Sequence, residues 1–94
     1  MPYVVETSAE ADRLIAEKIP AHLIAPFWDR IVDLAVDPVS LSRKSHFPYI
    51  PKGMIYDFKL RDADQTLWVV VWFKYKDERT ENVIWLVTLS VQRY

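Results

Sequence analysis

At 94 residues the chain is sized for one domain, covering 1–94, and a domain this small buries only about 60–65% of the surface its unfolded form exposes, so a partner can matter to it. Its 51% hydrophobic content excludes disorder, its single glycine argues against a many-stranded sandwich, and its lack of cysteine removes disulfides and thiolate metal sites. The net charge of −1 excludes a surface that is basic throughout and confines any nucleic-acid contact to a patch such as residues 40–61, which carry five bases and one acid.

Tyr3-Val4-Val5-Glu6 reads as a short strand. Thr7-Ser8-Ala9-Glu10 then fits a capping box, with the Thr7 hydroxyl and the Glu10 carboxylate each satisfying a backbone amide. The helix that follows places Ala11, Leu14, Ile15 and Ile19 on one face and Glu10, Asp12, Arg13 and Glu17 on the other, and Pro20 ends it. A second helix covers much of Pro20 to Val36, with Leu23, Phe27, Ile31, Leu34 and Ala35 as its apolar stripe and Asp29, Arg30 and Asp33 outward. Pro26 breaks its first turn, so the regular part starts near Ala25, and Asp37-Pro38 stops it.

Val39 to Gly53 has no periodicity and holds Pro48 and Pro51 among polar and basic residues, so it reads as a loop long enough to cover an edge or to bind. Met54 to Arg61 alternates, with Met54, Tyr56, Phe58 and Leu60 against Ile55, Asp57, Lys59 and Arg61. After a turn at Asp62-Ala63-Asp64-Gln65, Leu67 to Tyr75 is apolar on both faces, as a central strand should be. Lys76 to Asn82 is a charged hairpin loop. In the last strand, Val83 to Val91, alternation sets Val83, Trp85, Val87, Leu89 and Val91 against Ile84, Leu86, Thr88, Ser90 and Gln92.

The fold class is therefore α+β: a short N-terminal strand, two helices, then a three-stranded antiparallel meander, with the helices on one face of the sheet. Two helices cover only one face, so the other, carrying Asp57, Lys59, Arg61, Trp68, Trp72, Lys74, Ser90 and Gln92, is left partly open. Tryptophan mixed with basic and polar groups suits stacking a base or docking a partner segment.

Each conspicuous residue also has a plainer reading. His46, beside Arg43 and Lys44, has the right chemistry for a general base near neutral pH, yet a histidine in such a loop is more often solvated. His22 has no charged partner visible in the sequence. Arg61 precedes Asp62 and Asp64, so a surface ion pair competes with phosphate binding. Trp68, Trp72 and Trp85 are more often core than contact, but strict alternation keeps at least one near the surface.

Asp57, Asp62 and Asp64, and the Asp29/Asp33 pair, lack the surroundings of a metal site, and no glycine-rich phosphate loop, His-Glu-x-x-His helix or Gly-x-Ser-x-Gly elbow is present. No metal or cofactor is expected. No stretch approaches the ~20 apolar residues that span a bilayer, and Met1 to Ser8 lacks the basic start and apolar run of a leader, so no membrane is expected and the cytoplasm is the expected compartment.

The order strand, helix, helix, three antiparallel strands resembles the RelE/ParE superfamily of toxin–antitoxin toxins and plasmid-stabilisation proteins. The opening Tyr3-Val4-Val5-Glu6-Thr7-Ser8-Ala9-Glu10-Ala11 looks like that family's first strand running into its helix start. Ile19-Pro20 looks like its Leu-Pro, and Asp37-Pro38 like its closing Asp-Pro. The resemblance implies a toxin neutralised by a cognate antitoxin protein, and in the RelE-like branch an mRNA interferase (an endoribonuclease) acting on RNA, on or off the ribosome, through basic residues of the sheet face. Carried over by position, Lys59, Arg61, Arg93 and Tyr94 are its candidate catalytic residues and Lys74 a candidate binding residue, while the basic loop and the open face add Arg43, Lys44, His46, Lys52, Trp68 and Trp72 as candidate binding residues. Asp57 stands where the family usually has a phosphate-binding arginine. That departure keeps open the alternative of a non-enzymatic, ParE-like toxin binding a protein such as DNA gyrase, or an inactive interaction module; a homodimer is also left open.

Overall fold

The computed structural model describes residues 3–44, 53–63, 65–75 and 82–93. Among these residues the elements in chain order are β1 (Val4–Thr7), α1 (Ala9–Lys18), a 3-10 turn (Ala21–Leu23), α2 (Ile24–Val36), α3 (Pro38–Leu41), β2 (Arg43–Lys44), β3 (Met54–Arg61), β4 (Thr66–Tyr75) and β5 (Val83–Arg93). The architecture is α+β, with β3, β4 and β5 forming the expected antiparallel meander.

The sheet is wider than the meander. Its strand order is β1-β5-β4-β3-β2, with β1 parallel to β5 and the two-residue β2 antiparallel to the start of β3. The Val39–Gly53 stretch is thus not all loop. Pro38 takes the first turn of α3, where its missing N–H costs nothing, and Asp37 caps that turn by accepting from the Ser40 amide at 3.2 Å. Arg43 and Lys44 then pair with Ile55 and Met54. Elements of four and two residues carry no detectable period, so neither is legible from pattern alone.

The core sits between the helices and one face of the sheet. α1 lies over β5 and α2 over β3. From the sheet come Tyr56, Phe58, Leu60, Leu67, Val69, Val71, Phe73, Ile84, Leu86 and Leu89, and from the helices Ala11, Ile15, Ile19, Leu23, Phe27, Ile31 and Leu34. The helical periodicity named these positions because only a three-to-four-residue spacing aligns side chains over a flat sheet. Phe27 stacks tilted on Phe58 at 5.8 Å between centroids, joining α2 to β3.

The start of α1 differs from the capping box. Ser8, not Thr7, is the N-cap: its hydroxyl oxygen accepts from the Ala11 amide at 3.0 Å, while the Thr7 hydroxyl donates to Asp12. Thr7 belongs to β1 and pairs with Leu86, so the strand runs one residue further than the capping box allows.

The last strand departs from simple alternation. Trp72 pairs with Thr88 but Phe73 pairs with Leu86, leaving Val87 as an extra residue in β5. A bulge of this kind reverses which residues face which side. Ile84 and Leu86 are buried on one side of the bulge and Leu89 on the other, whereas Trp85, Thr88, Ser90 and Gln92 share the opposite face. Ser8 holds the bulge in place: its amide donates to the Leu86 carbonyl at 2.9 Å and its hydroxyl donates to the Val87 carbonyl at 2.6 Å.

Candidate functional site

The face of the sheet turned away from the helices is built in cross-strand rows. Arg61 lies opposite Thr66; Lys59, Trp68 and Gln92 make the next row, then Asp57, Val70 and Ser90, then Arg43, Ile55, Trp72 and Thr88, and last Lys74, Trp85 and Glu6. Because facing residues in a ladder point to the same side, these side chains form one continuous surface. Trp68, Trp72 and Trp85 are each half-buried on it. Amphipathic rings with one side wet are suited to stacking a planar group or seating apolar side chains.

Asp57 organises the centre. One carboxylate oxygen accepts from Arg43 Nη1 at 2.8 Å and the other from Trp68 Nε1 at 3.1 Å, so a single side chain ties β2, β3 and β4 together. The Arg43 guanidinium holds the Asp57 carboxyl below the usual carboxylate range; partial burial opposes this and the Trp68 N–H supports it. Asp57 therefore stays ionised at neutral pH and neutralises Arg43. At the other end Lys74 Nζ sits 4.9 Å from the centre of the Trp85 ring, a cation–π contact that fixes both.

The residues singled out in the sequence separate into groups. Lys59, Arg61, Trp68, Trp72 and Lys74 are brought together on the open face, and Arg43 reaches it through Asp57. Lys44 is exposed but pairs with Met54, a position directed toward the core side. Arg93 pairs with Leu67 on the helix side, and with Glu17, Lys18 and Val91 it lines a recess of about 350 Å³ beyond the end of α1. The structure thus separates Arg93 from Lys59 and Arg61 by the thickness of the sheet. His46, Lys52, Tyr94 and Asp64 lie outside the described residues.

Two contacts were not legible in the sequence. His22, at the 3-10 turn, has its Nε2 3.0 Å from Asp62 Oδ2 in the turn after β3, so a carboxylate partner exists after all. Asp62 is held below its ordinary pKa first by the Ala63 amide and then by His22. Asp62 therefore pairs with His22, and among the described residues Arg61 has no ion-pair partner. Trp85 is the second: its place on the open face depends on the Val87 bulge, whose only trace in the sequence is the three-residue step from Leu86 to Leu89 between apolar pairs.

No protein-family model matches the sequence, and no curated protein matches it. Among solved structures, a chain of the toxin–antitoxin complex RelBE2 from Mycobacterium tuberculosis is similar over 98% of this chain and 100% of its own, with a TM-score of 0.65 at 16% sequence identity. The two chains share their fold.

Proposed function

We propose that the protein is the toxin of a toxin–antitoxin pair and that it acts on RNA, as a RelE-like mRNA interferase, through the open face of its sheet. The observation that carries this reading is the row Lys59, Trp68, Gln92 with Arg61 beside it: cationic groups able to hold a phosphate next to a ring able to stack a base. Lys59 and Arg61 are the charges best placed to hold a scissile phosphate and to stabilise the charge that develops on it. A cognate antitoxin protein is the partner that restrains the activity.

A ParE-like reading, in which the same face docks a protein, draws on a different observation. The Asp57–Arg43–Trp68 contact spends an arginine on an internal carboxylate, leaving the centre of the face nearly neutral and partly apolar. Salt separates the two: binding through several phosphates weakens steeply with ionic strength, whereas an apolar protein interface responds little.

The decisive experiment is induced expression in bacterial cells with pulse-labelled protein synthesis followed alongside growth. The wild type should stop translation, and the folded double variant Lys59→Ala/Arg61→Ala should not. Arg93→Ala, on the other side of the sheet, should leave the arrest in place. Growth arrest with translation initially intact would favour the protein-docking reading, and no arrest by well-folded wild type would defeat both.

A further inference from the structure

The charges of the open face are unevenly placed. Lys59 and Arg61 stand toward one end and Lys74 at the other, with Asp57 between them on β3 in one row with Val70 and Ser90. Asp57 is two residues from Lys59 on the same strand, about 7 Å along it. Arg43, in the next row with Ile55 and Trp72, would bring positive charge to the centre, but one oxygen of Asp57 already takes its Nη1 at 2.8 Å. The other oxygen takes Trp68 Nε1 at 3.1 Å, which anchors the carboxylate in place.

This pair is open to solvent, with side-chain exposures of 62% for Arg43 and 32% for Asp57. A phosphate reaching the centre of the face therefore meets a guanidinium whose charge is already answered and a carboxylate that repels it. An ion pair so exposed adds at most about 1 kcal/mol to stability, so holding strands together is a small part of what it does. A base meets the same place differently. It has a π-face and no net charge, and the bond to Asp57 uses only the Nε1 edge of the half-buried Trp68 ring, leaving its face for stacking.

We infer that Asp57 is a specificity-determining residue of the open face: by holding Arg43 and repelling phosphate it keeps backbone charge off the centre, so that an RNA strand is selected by its bases, with phosphates held at the Lys59–Arg61 end. The ligand named here rests on the RNA reading above; the charge argument applies to any polyanion.

The test uses the full chain and two probes: a single-stranded RNA of about ten nucleotides, and inorganic polyphosphate of matching charge, which has no bases. Fluorescence anisotropy at several salt concentrations gives the affinity for labelled RNA and the number of phosphates held, and calorimetry gives the affinity for polyphosphate. Wild type should bind the RNA roughly tenfold or more tightly than polyphosphate. Asp57→Asn, which keeps the shape of the side chain, should gain roughly tenfold toward polyphosphate. It should also steepen the salt dependence of RNA binding by about 0.7, the share of one added phosphate on a single strand. Arg43→Ala breaks the same ion pair, so a merely structural effect would appear there too; it should instead gain nothing toward polyphosphate. Asp57→Asn/Arg43→Ala should return close to wild type with both probes, because the cation that Asp57→Asn releases is then gone. Polyphosphate binding by Asp57→Asn no tighter than by wild type would overturn the inference. So would a shallower RNA salt slope in Arg43→Ala alone, since Arg43 would then hold a phosphate in spite of Asp57. Wild type that bound neither probe, with Asp57→Asn gaining polyphosphate through Arg43, would defeat the RNA reading and uphold the action of Asp57 against phosphate. RNA binding by wild type that Asp57→Asn left unchanged, together with its polyphosphate binding, would do the reverse.

Discussion

The two faces of the sheet are made by the same strands and held by different forces. On the helix side, β4 contributes Leu67, Val69, Val71 and Phe73, all without solvent exposure, and every position is closed by packing against α1, α2 or a neighbouring strand. On the open side the same strand contributes Trp68, Val70, Trp72 and Lys74, all half-buried, and order comes from pairwise contacts such as Asp57 with Arg43 and Trp68. Packing is collective and tolerates no gap, whereas pairwise polar contacts are individually weak and can be changed one at a time. A surface that must meet a ligand is best built in the second way, on a scaffold built in the first.

Substitutions on each face sharpen this contrast. Phe73→Ala, in the packed layer, should cost about 3–5 kcal/mol of unfolding free energy, read from urea denaturation, because it removes a buried ring and leaves a cavity. A loss under about 1 kcal/mol would show that the covered face is not close-packed.

Ser8→Ala tests the hinge between the faces. It removes the α1 cap, worth about 1 kcal/mol, and leaves the Val87 carbonyl without its hydroxyl donor, so a total near 2 kcal/mol is expected. Because the bulge puts Trp85 on the open face, the variant should also alter the tryptophan near-ultraviolet circular dichroism. An unchanged spectrum with unchanged stability would mean that the bulge holds without Ser8.

Asp57→Asn, on the open face, should cost at most about 1 kcal/mol at pH 7, since Arg43 is largely solvent-exposed. The sign of its pH dependence follows from the depressed folded pKa of Asp57. Its contribution is fully present above the unfolded value of about 3.9 and is lost as the pH falls through the lower folded value. Wild type and variant should therefore differ in urea midpoint at pH 6 and converge as the pH falls through the lowered folded value; a gap that widened in acid would contradict the assigned contacts.

Lys74→Met is the mildest change. Removing the cation from the Trp85 ring should cost about 0.5 kcal/mol, measurable as a small shift in melting temperature and a change in tryptophan emission.

How far the sequence could be read follows the same division. The helix stripes, the β3 alternation and the all-apolar β4 gave the α+β class and most of the core, because burial against a flat sheet imposes a period that composition preserves. The alternation of β3 and β4 also assigned Asp57, Lys59, Arg61, Trp68, Trp72 and Lys74 to one face. That reasoning failed in β5, where one inserted residue reversed the parity and moved Trp85 across the sheet. Pattern carries no sign of the His22 contact either, because its partner Asp62 is forty residues away in sequence, and the resemblance that offered Arg93 carried no register, which sends Arg93 to the helix side.

The sequence by itself determined what repeats: where helices and strands run, which stripe each one buries, and that a sheet face would be left with tryptophans and bases on it. The tertiary structure alone decided what depends on a single residue or a distant pair: the parallel placement of β1 beside β5, the two-residue β2, the Ser8-held bulge and the clamp of Asp57 on Arg43 and Trp68. The physical reason is that periodic burial leaves its mark at many positions at once, while a hydrogen bond or a bulge is a local event whose partners the chain brings together only on folding.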